Sequence, residues 1–225
     1  MELMVLGIGA LLMVLVVALI AMLLMLHRRH IEHHRNTHRQ HWTAIARELG
    51  LTFDPRAGHN SYGMIEGVYQ GVWVRIDVYH TGEDNNHTYT RVRSYHHPEL
   101  NLRLDIRRET SLGTLSRALG IRDIETGDAQ FDDAFHVEGN APDTIVRMLD
   151  RDVRRHILSY VSHIGPIQID DRGTTGRIRG RATHTAHVLP LVQAQVGLVL
   201  AIRRSLSAAQ VEDPELVNVY AQARS

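Results

Sequence analysis

Gly63-Met64-Ile65-Glu66-Gly67-Val68-Tyr69-Gln70-Gly71-Val72-Trp73-Val74-Arg75-Ile76-Asp77-Val78-Tyr79-His80 is the stretch on which the fold turns. Its β-branched and aromatic residues alternate with polar ones, the period of a half-buried strand, and Gly67 and Gly71 sit near a tight turn. The stretch therefore reads as a strand pair. After the polar turn at 81–86, residues 88–95 and 100–106 alternate again. Four antiparallel strands in a meander are expected, with Trp73, Ile76 or Val78, Val92, Leu102 and Leu104 as candidates for the buried face.

Helical signals come next. Residues 111–119 read as a short helix capped by Ser111 and ended by Gly120. Residues 142–163 read as a longer one, because Ile145, Val146, Leu149, Val153, Ile157, Leu158 and Val161 recur at spacings of three and four and Asp143 favours the helix dipole. Residues 167–170 and 177–180 form a hairpin around Asp171-Arg172-Gly173-Thr174. The last helix covers 185–207. Its apolar core from Val188 to Ile202 spans 15 positions and contains Pro190, Gln193 and Gln195, so it is read as buried against the sheet and not as a membrane span. The fold class is α+β, an antiparallel sheet of hairpins packed with two longer helices.

Ahead of this domain, Leu3 to Leu26 carries no charge, no proline and no strongly polar side chain. At about 1.5 Å rise per residue that is enough helix to cross a bilayer core of about 30 Å. A secretory signal would have a positive start, a shorter apolar run and a small-residue cleavage site, none of which is present, so the segment reads as a retained anchor. The expected organisation is a transmembrane anchor at 1–26, a basic histidine-rich stalk helix at 27–50, an α+β domain at 51–208 and a tail at 209–225. No glycine or proline falls between Ala10 and Leu49, and Gly50 suits a helix C-cap, so span and stalk are expected to form one continuous helix. Arg28, Arg29, Arg35 and Arg39 follow the span and are the expected membrane-interface residues. By the positive-inside rule they place the domain in the cytoplasm at the inner membrane, with a periplasmic domain as the competing reading because the short amino-terminal tail gives the rule little contrast.

The stalk also carries a histidine stripe. At about 100° per residue His27, His30, His34, His38 and His41 share one face, which Trp42, Ile45 and Leu49 extend. Such spacings let two imidazoles reach one zinc, nickel or copper ion, whereas an interfacial juxtamembrane helix also accommodates histidine as a part-charged, part-apolar ring. The run into Trp42 also suits a seam between two stalks, hence a homo-oligomer.

Composition excludes several functions. The chain has 25 basic and 25 acidic residues, and every basic one is arginine, as expected of a GC-rich genome. Zero net charge argues against a general nucleic-acid binder, which needs a positive field to release counterions from phosphate. With no cysteine there is no disulfide, thiolate metal site or cysteine nucleophile. His96, His97, Glu99, Asp132, Asp133, His136, His184 and His187 are the scattered parts of an enzyme, yet no His-Glu-x-x-His or phosphate loop joins them. No catalytic residue and no cofactor are assigned.

Phe131-Asp132-Asp133-Ala134-Phe135-His136-Val137-Glu138-Gly139-Asn140, followed by the 142–163 helix and a hairpin, resembles an element of uncharacterised single-pass bacterial membrane proteins. The resemblance covers about residues 42–205 and implies a span preceding an α+β domain, with no activity attached. In the residues themselves, Phe131, Phe135 and Val137 suit one strand face, Gly139 permits the turn into the Pro142 helix, and Asp132 and Asp133 suit turn and capping roles. The resulting expectation is a membrane-anchored, non-enzymatic cytoplasmic module for protein interaction or scaffolding. The alternative is a membrane-tethered metal sensor or metal-dependent hydrolase built on the histidine stripe.

Overall fold

The computed structural model describes residues 2–58, 62–81, 87–108 and 123–212. The helix expected at 111–119, the turn at 82–86 and the end of the tail lie outside them. The chain divides into two compact units, Met1–His41 and Trp42–Ser225. Residues 2–41 of helix α1 (Glu2–Leu49) are the described part of the first. Its apolar side chains Met13, Val17, Leu19, Ile20 and those at 22–26 are exposed. Its last two turns, residues 42–49, belong to the second unit. Trp42, Ile45, Ala46 and Leu49 are buried there, so the core of the domain begins inside the expected stalk. Gly50 ends the helix in the left-handed conformation, with its N–H on the Arg47 carbonyl at 3.2 Å and the Leu51 N–H on the Ala46 carbonyl at 2.8 Å. That pair of bonds satisfies two carbonyls left over at a helix end.

The second unit is α+β. Its strands are β1 (Thr52–Asp54), β2 (Met64–Tyr69), β3 (Val72–Thr81), β4 (His87–Tyr95), β5 (Asp105–Arg108), β6 (Phe135–Glu138), β7 (Ile167–Asp170) and β8 (Gly173–Arg179). They form one sheet in the order β1-β2-β3-β4-β8-β7-β5-β6, every pair antiparallel. The β2–β3 turn puts Gln70 and Gly71 at positive φ, as a two-residue turn matching strand twist requires. Helices α2 (Ala129–Asp132), α3 (Pro142–Met148), α4 (Arg151–His163) and α5 (Thr185–Glu212) complete the described elements.

Three expectations are corrected here. Trp73 is not on the buried face: Val72, Val74, Ile76 and Val78 are buried, and Trp73 is 42% exposed. Positions 73 and 76 differ in parity and point to opposite faces of a strand. The segment 100–106 is not the fourth strand of the meander, because β8 pairs with β4 and only Asp105–Arg108 extends. Residues 101 and 103 adopt positive φ, and the Asp171 carboxylate accepts the N–H groups of Leu102, Arg103 and Leu104 at 2.8–3.0 Å. Those donors are thereby satisfied off the ladder while Leu102 and Leu104 still reach the core. Asp171→Asn keeps one acceptor and loses the charge, and is expected to lower the urea unfolding free energy by about 1–2 kcal/mol. Finally, 142–163 is two helices. Asp150 caps the second by accepting the Val153 N–H at 2.8 Å, and Leu149 leaves helical geometry.

Around Phe131 the local expectations divide. Asp132 accepts Thr126 N–H, Thr126 O–H and Gly127 N–H, a turn carboxylate as expected. Phe131 lies in α2, not on the β6 face, and stacks on Phe135 at 4.9 Å. Space is tight at Gly139, where a Cβ would displace the tip of the Ile145 side chain and come within 3.0 Å of the Leu102 carbonyl oxygen.

Helix α5 packs against β3, β4, β8, α3 and α4. Its stretch Thr185–Ala209 is also long and apolar enough to cross a membrane, yet half of its apolar window is buried inside the protein. Gln195, fully buried, donates to the Tyr160 hydroxyl at 3.1 Å and accepts from Ser94 and Thr174 at 3.4 Å. Burial pushes the Tyr160 phenol up to about 12, so it stays a neutral hydrogen-bonding group. A polar network completed by sheet side chains marks α5 as a core helix.

Candidate functional site

The face of the sheet opposite the helices follows from the same alternation that builds the core. β3 contributes Trp73, Arg75, Asp77 and Tyr79, β4 contributes Tyr89, Arg91, Arg93 and Tyr95, and β8 contributes Thr175 and Arg177. Antiparallel register sets Arg75 opposite Arg93, Asp77 opposite Arg91, and Arg91 opposite Arg177. Like charges directly opposite repel, so the arrangement needs carboxylates and ring faces between them. Asp77 accepts from Arg91 Nε at 2.8 Å and Nη2 at 2.6 Å, and from Arg93 Nη2 at 2.8 Å. Glu66 takes both Nε and Nη2 of Arg75.

The tyrosines carry the rest. Tyr79 and Tyr89 stack at 5.5 Å, with the Arg91 guanidinium 4.8 Å from the Tyr79 ring and that of Arg177 5.1 Å from the Tyr89 ring. Arg177 Nη1 also donates to the Tyr79 hydroxyl at 3.0 Å. The Asp77 hydrogen bond raises the pKa of Arg91, and the Tyr79 hydroxyl raises that of Arg177. Both remain cations throughout the physiological range.

Between β4, β8 and β7 this face sinks into a concavity of about 430 Å³ bounded by Arg75, Arg91, Arg93, Tyr95, Asp170 and Arg172. A second hollow of about 280 Å³ shares Arg91 and Thr175 and adds Tyr79 and Arg177. Gly173 keeps β8 close to β4 at the first hollow, because a Cβ there would overlap the Ser94 carbonyl oxygen. Asp170 Oδ1 is occupied by the Arg172 and Gly173 backbone N–H groups. The Arg172 guanidinium stands 70% exposed, 3.7 Å from Asp170 Oδ2. Buried Arg93 Nε donates to no protein atom. Unsatisfied buried donors are uncommon and mark places where a ligand or water belongs.

Of the histidine stripe, His27 is exposed, His38 buried and His41 half-buried, while the side chains of His30 and His34 lie outside those described. Among the described residues no three His, Asp or Glu converge as metal ligands. Arg28, Arg29 and Arg39 are exposed, and the Arg35 side chain lies outside the described ones. The scattered parts stay scattered. His136 sits between Glu138 Oε1 at 2.7 Å and Asp123 Oδ2 at 3.2 Å. His184 and His187 meet edge to face, and His96 is buried apart from either pair. Asp105, half-buried near Glu138 and Asp170, has its carboxyl pKa raised, chiefly by burial.

Neither a protein-family model nor a curated protein matches the chain. Among solved structures, the crystal structure of the mycobacterial trehalose monomycolate transport factor A is similar, with a TM-score of 0.43 and 12% sequence identity over 76% of this chain and 95% of that one.

The arginine and tyrosine face was not singled out from the sequence. Its signal was there as the polar half of the alternation at 73, 75, 77 and 79 and at 89, 91, 93 and 95. What that half lacked was the register joining three strands.

Proposed function

We propose that this chain is a membrane-anchored, non-enzymatic module that works by binding a protein partner at the inner membrane, with its α+β domain in the cytoplasm. The observation that carries the reading is the open sheet face. Its guanidiniums and rings are held rigid by mutual contacts, and such preorganised arginine and aromatic surfaces suit recognition. The anchor is supported by the uncharged run from Leu3 to Leu26 and by the exposed apolar side chains along it, a patch that water does not favour. The juxtamembrane arginines support the cytoplasmic side.

The test uses the full chain in intact membranes. A carboxy-terminal reporter should be active on the cytoplasmic side and the protein should resist alkaline carbonate extraction. A photoreactive benzoylphenylalanine in place of Trp73 should give a discrete crosslinked species, whereas the same probe replacing the exposed Arg155 on α4 should not. Carbonate extraction, a periplasmic reporter signal or identical crosslinking from both positions would each defeat the reading. Elemental analysis separates the metal alternative: stoichiometric zinc, nickel or copper in the purified chain would favour the histidine stripe as a site.

A further inference from the structure

We propose that the concavity bounded by Arg75, Arg91, Arg93 and Arg172 is a binding site for a phosphate group, borne either by a free small anion or by a lipid headgroup. The inference rests on the reading of the open face as the binding surface, and it names the chemistry of one hollow in that surface.

Three features converge. The first is charge: four guanidiniums border the hollow, against the three carboxylates of Glu66, Asp77 and Asp170 that contact them, and Arg177 adds a further cation in the adjoining hollow. The second is donor supply. A guanidinium has five N–H donors; Asp77 occupies two on Arg91 and one on Arg93, and Glu66 two on Arg75. Arg93 Nε is buried and uncommitted, and the exposed Arg172 lines the same opening. The third is preorganisation. Asp77 and Glu66 fix the guanidiniums before any ligand arrives, so little side-chain freedom is lost on binding. A phosphate, with three acceptor oxygens and about −1.5 to −2 charge at neutral pH, can accept from several forks that approach from different strands. A carboxylate has two oxygens in one plane and fits fewer of them.

The experiment uses the full-length chain in uncharged maltoside micelles. Inorganic phosphate is titrated calorimetrically, with ionic strength held constant by sodium chloride. A saturable isotherm with a Kd at or below about 1 mM is expected. Arg172→Gln, at an exposed position, should weaken it at least about five-fold, and Arg93→Gln at least about ten-fold, while Arg155→Gln on α4 should not change it. Dihexanoyl phosphatidic acid binding with the same arginine dependence but at least about ten-fold tighter assigns the site to a lipid headgroup; equal affinity assigns it to a free anion. Absence of a saturable isotherm, or equal binding by the wild type and both arginine variants, overturns the proposal. So does tighter binding of a single-stranded oligonucleotide than of either phosphate ligand, which would make the face a nucleic-acid platform. Failure here with the Trp73 crosslink intact would remove the phosphate site and leave the partner-binding face standing.

Discussion

Trp42→Ala is expected to lower the unfolding free energy of the domain by about 3–5 kcal/mol, the usual range for deleting a large buried aromatic. Trp42 is fully buried, meets Phe53 edge to face at 6.1 Å, and donates its indole N–H to the Ala182 carbonyl at 3.1 Å. Truncation leaves a cavity beside Phe53 and removes the donor to the Ala182 carbonyl as well. Trp42→Phe restores most of the volume without the donor, so it should cost only about 1–2 kcal/mol. Urea unfolding of the full chain in micelles, followed by circular dichroism, measures both. A loss below about 1 kcal/mol for the alanine variant would show that residues 42–49 are stalk and not core.

Acid should destabilise the domain through His96. Its ring is buried with neither nitrogen hydrogen-bonded, and its pKa is lowered to about 4, by burial first and by the Arg203 charge second, against an opposing effect of Asp171. Above the ordinary value of about 6.5 the ring is neutral in both states and the full stability is present. As pH falls below that value the unfolded chain takes up a proton that the folded ring refuses. Stability therefore declines until the folded pKa near 4 and then levels off. Over that window the loss approaches about 3 kcal/mol, at about 1.4 kcal/mol per pKa unit. His96→Gln carries no titratable ring and should lack this part of the acid dependence, though it is less stable near neutrality. Urea midpoints of the two proteins at pH values from about 7 to 4 provide the check. Parallel curves would mean that His96 is protonated as readily inside the domain as outside it.

Both effects bear on how much could be read from the residues in order. The hairpin at 64–81 was legible because its alternation and its Gln70-Gly71 turn are properties of neighbours two to four residues apart. The Gly50 helix end, the turn role of Asp132 and the placement of α5 in the core were legible for the same reason. In the last case Gln195 inside an apolar run was the clue, and Tyr160, Ser94 and Thr174 are what it binds. Trp73 was misplaced because alternation says that two faces exist and not which of them is covered. A glycine-free, proline-free stretch hid the break at Leu149, where a single capping carboxylate suffices.

The elements, the α+β class and the apolar amino-terminal run were thus specified locally, by periodicity and by residues with special backbone preferences. Pairing of β4 with β8, the detour of residues 100–104 around Asp171 and the assembly of Arg75, Arg91, Arg93 and Arg172 about one hollow were not. Those depend on contacts between residues some seventy to a hundred positions apart, roughly the separations at which loop closure must be offset by burial and by completed hydrogen bonds. An arginine in an alternating strand reads the same whether it faces water or a ligand, and only the strands beside it settle which.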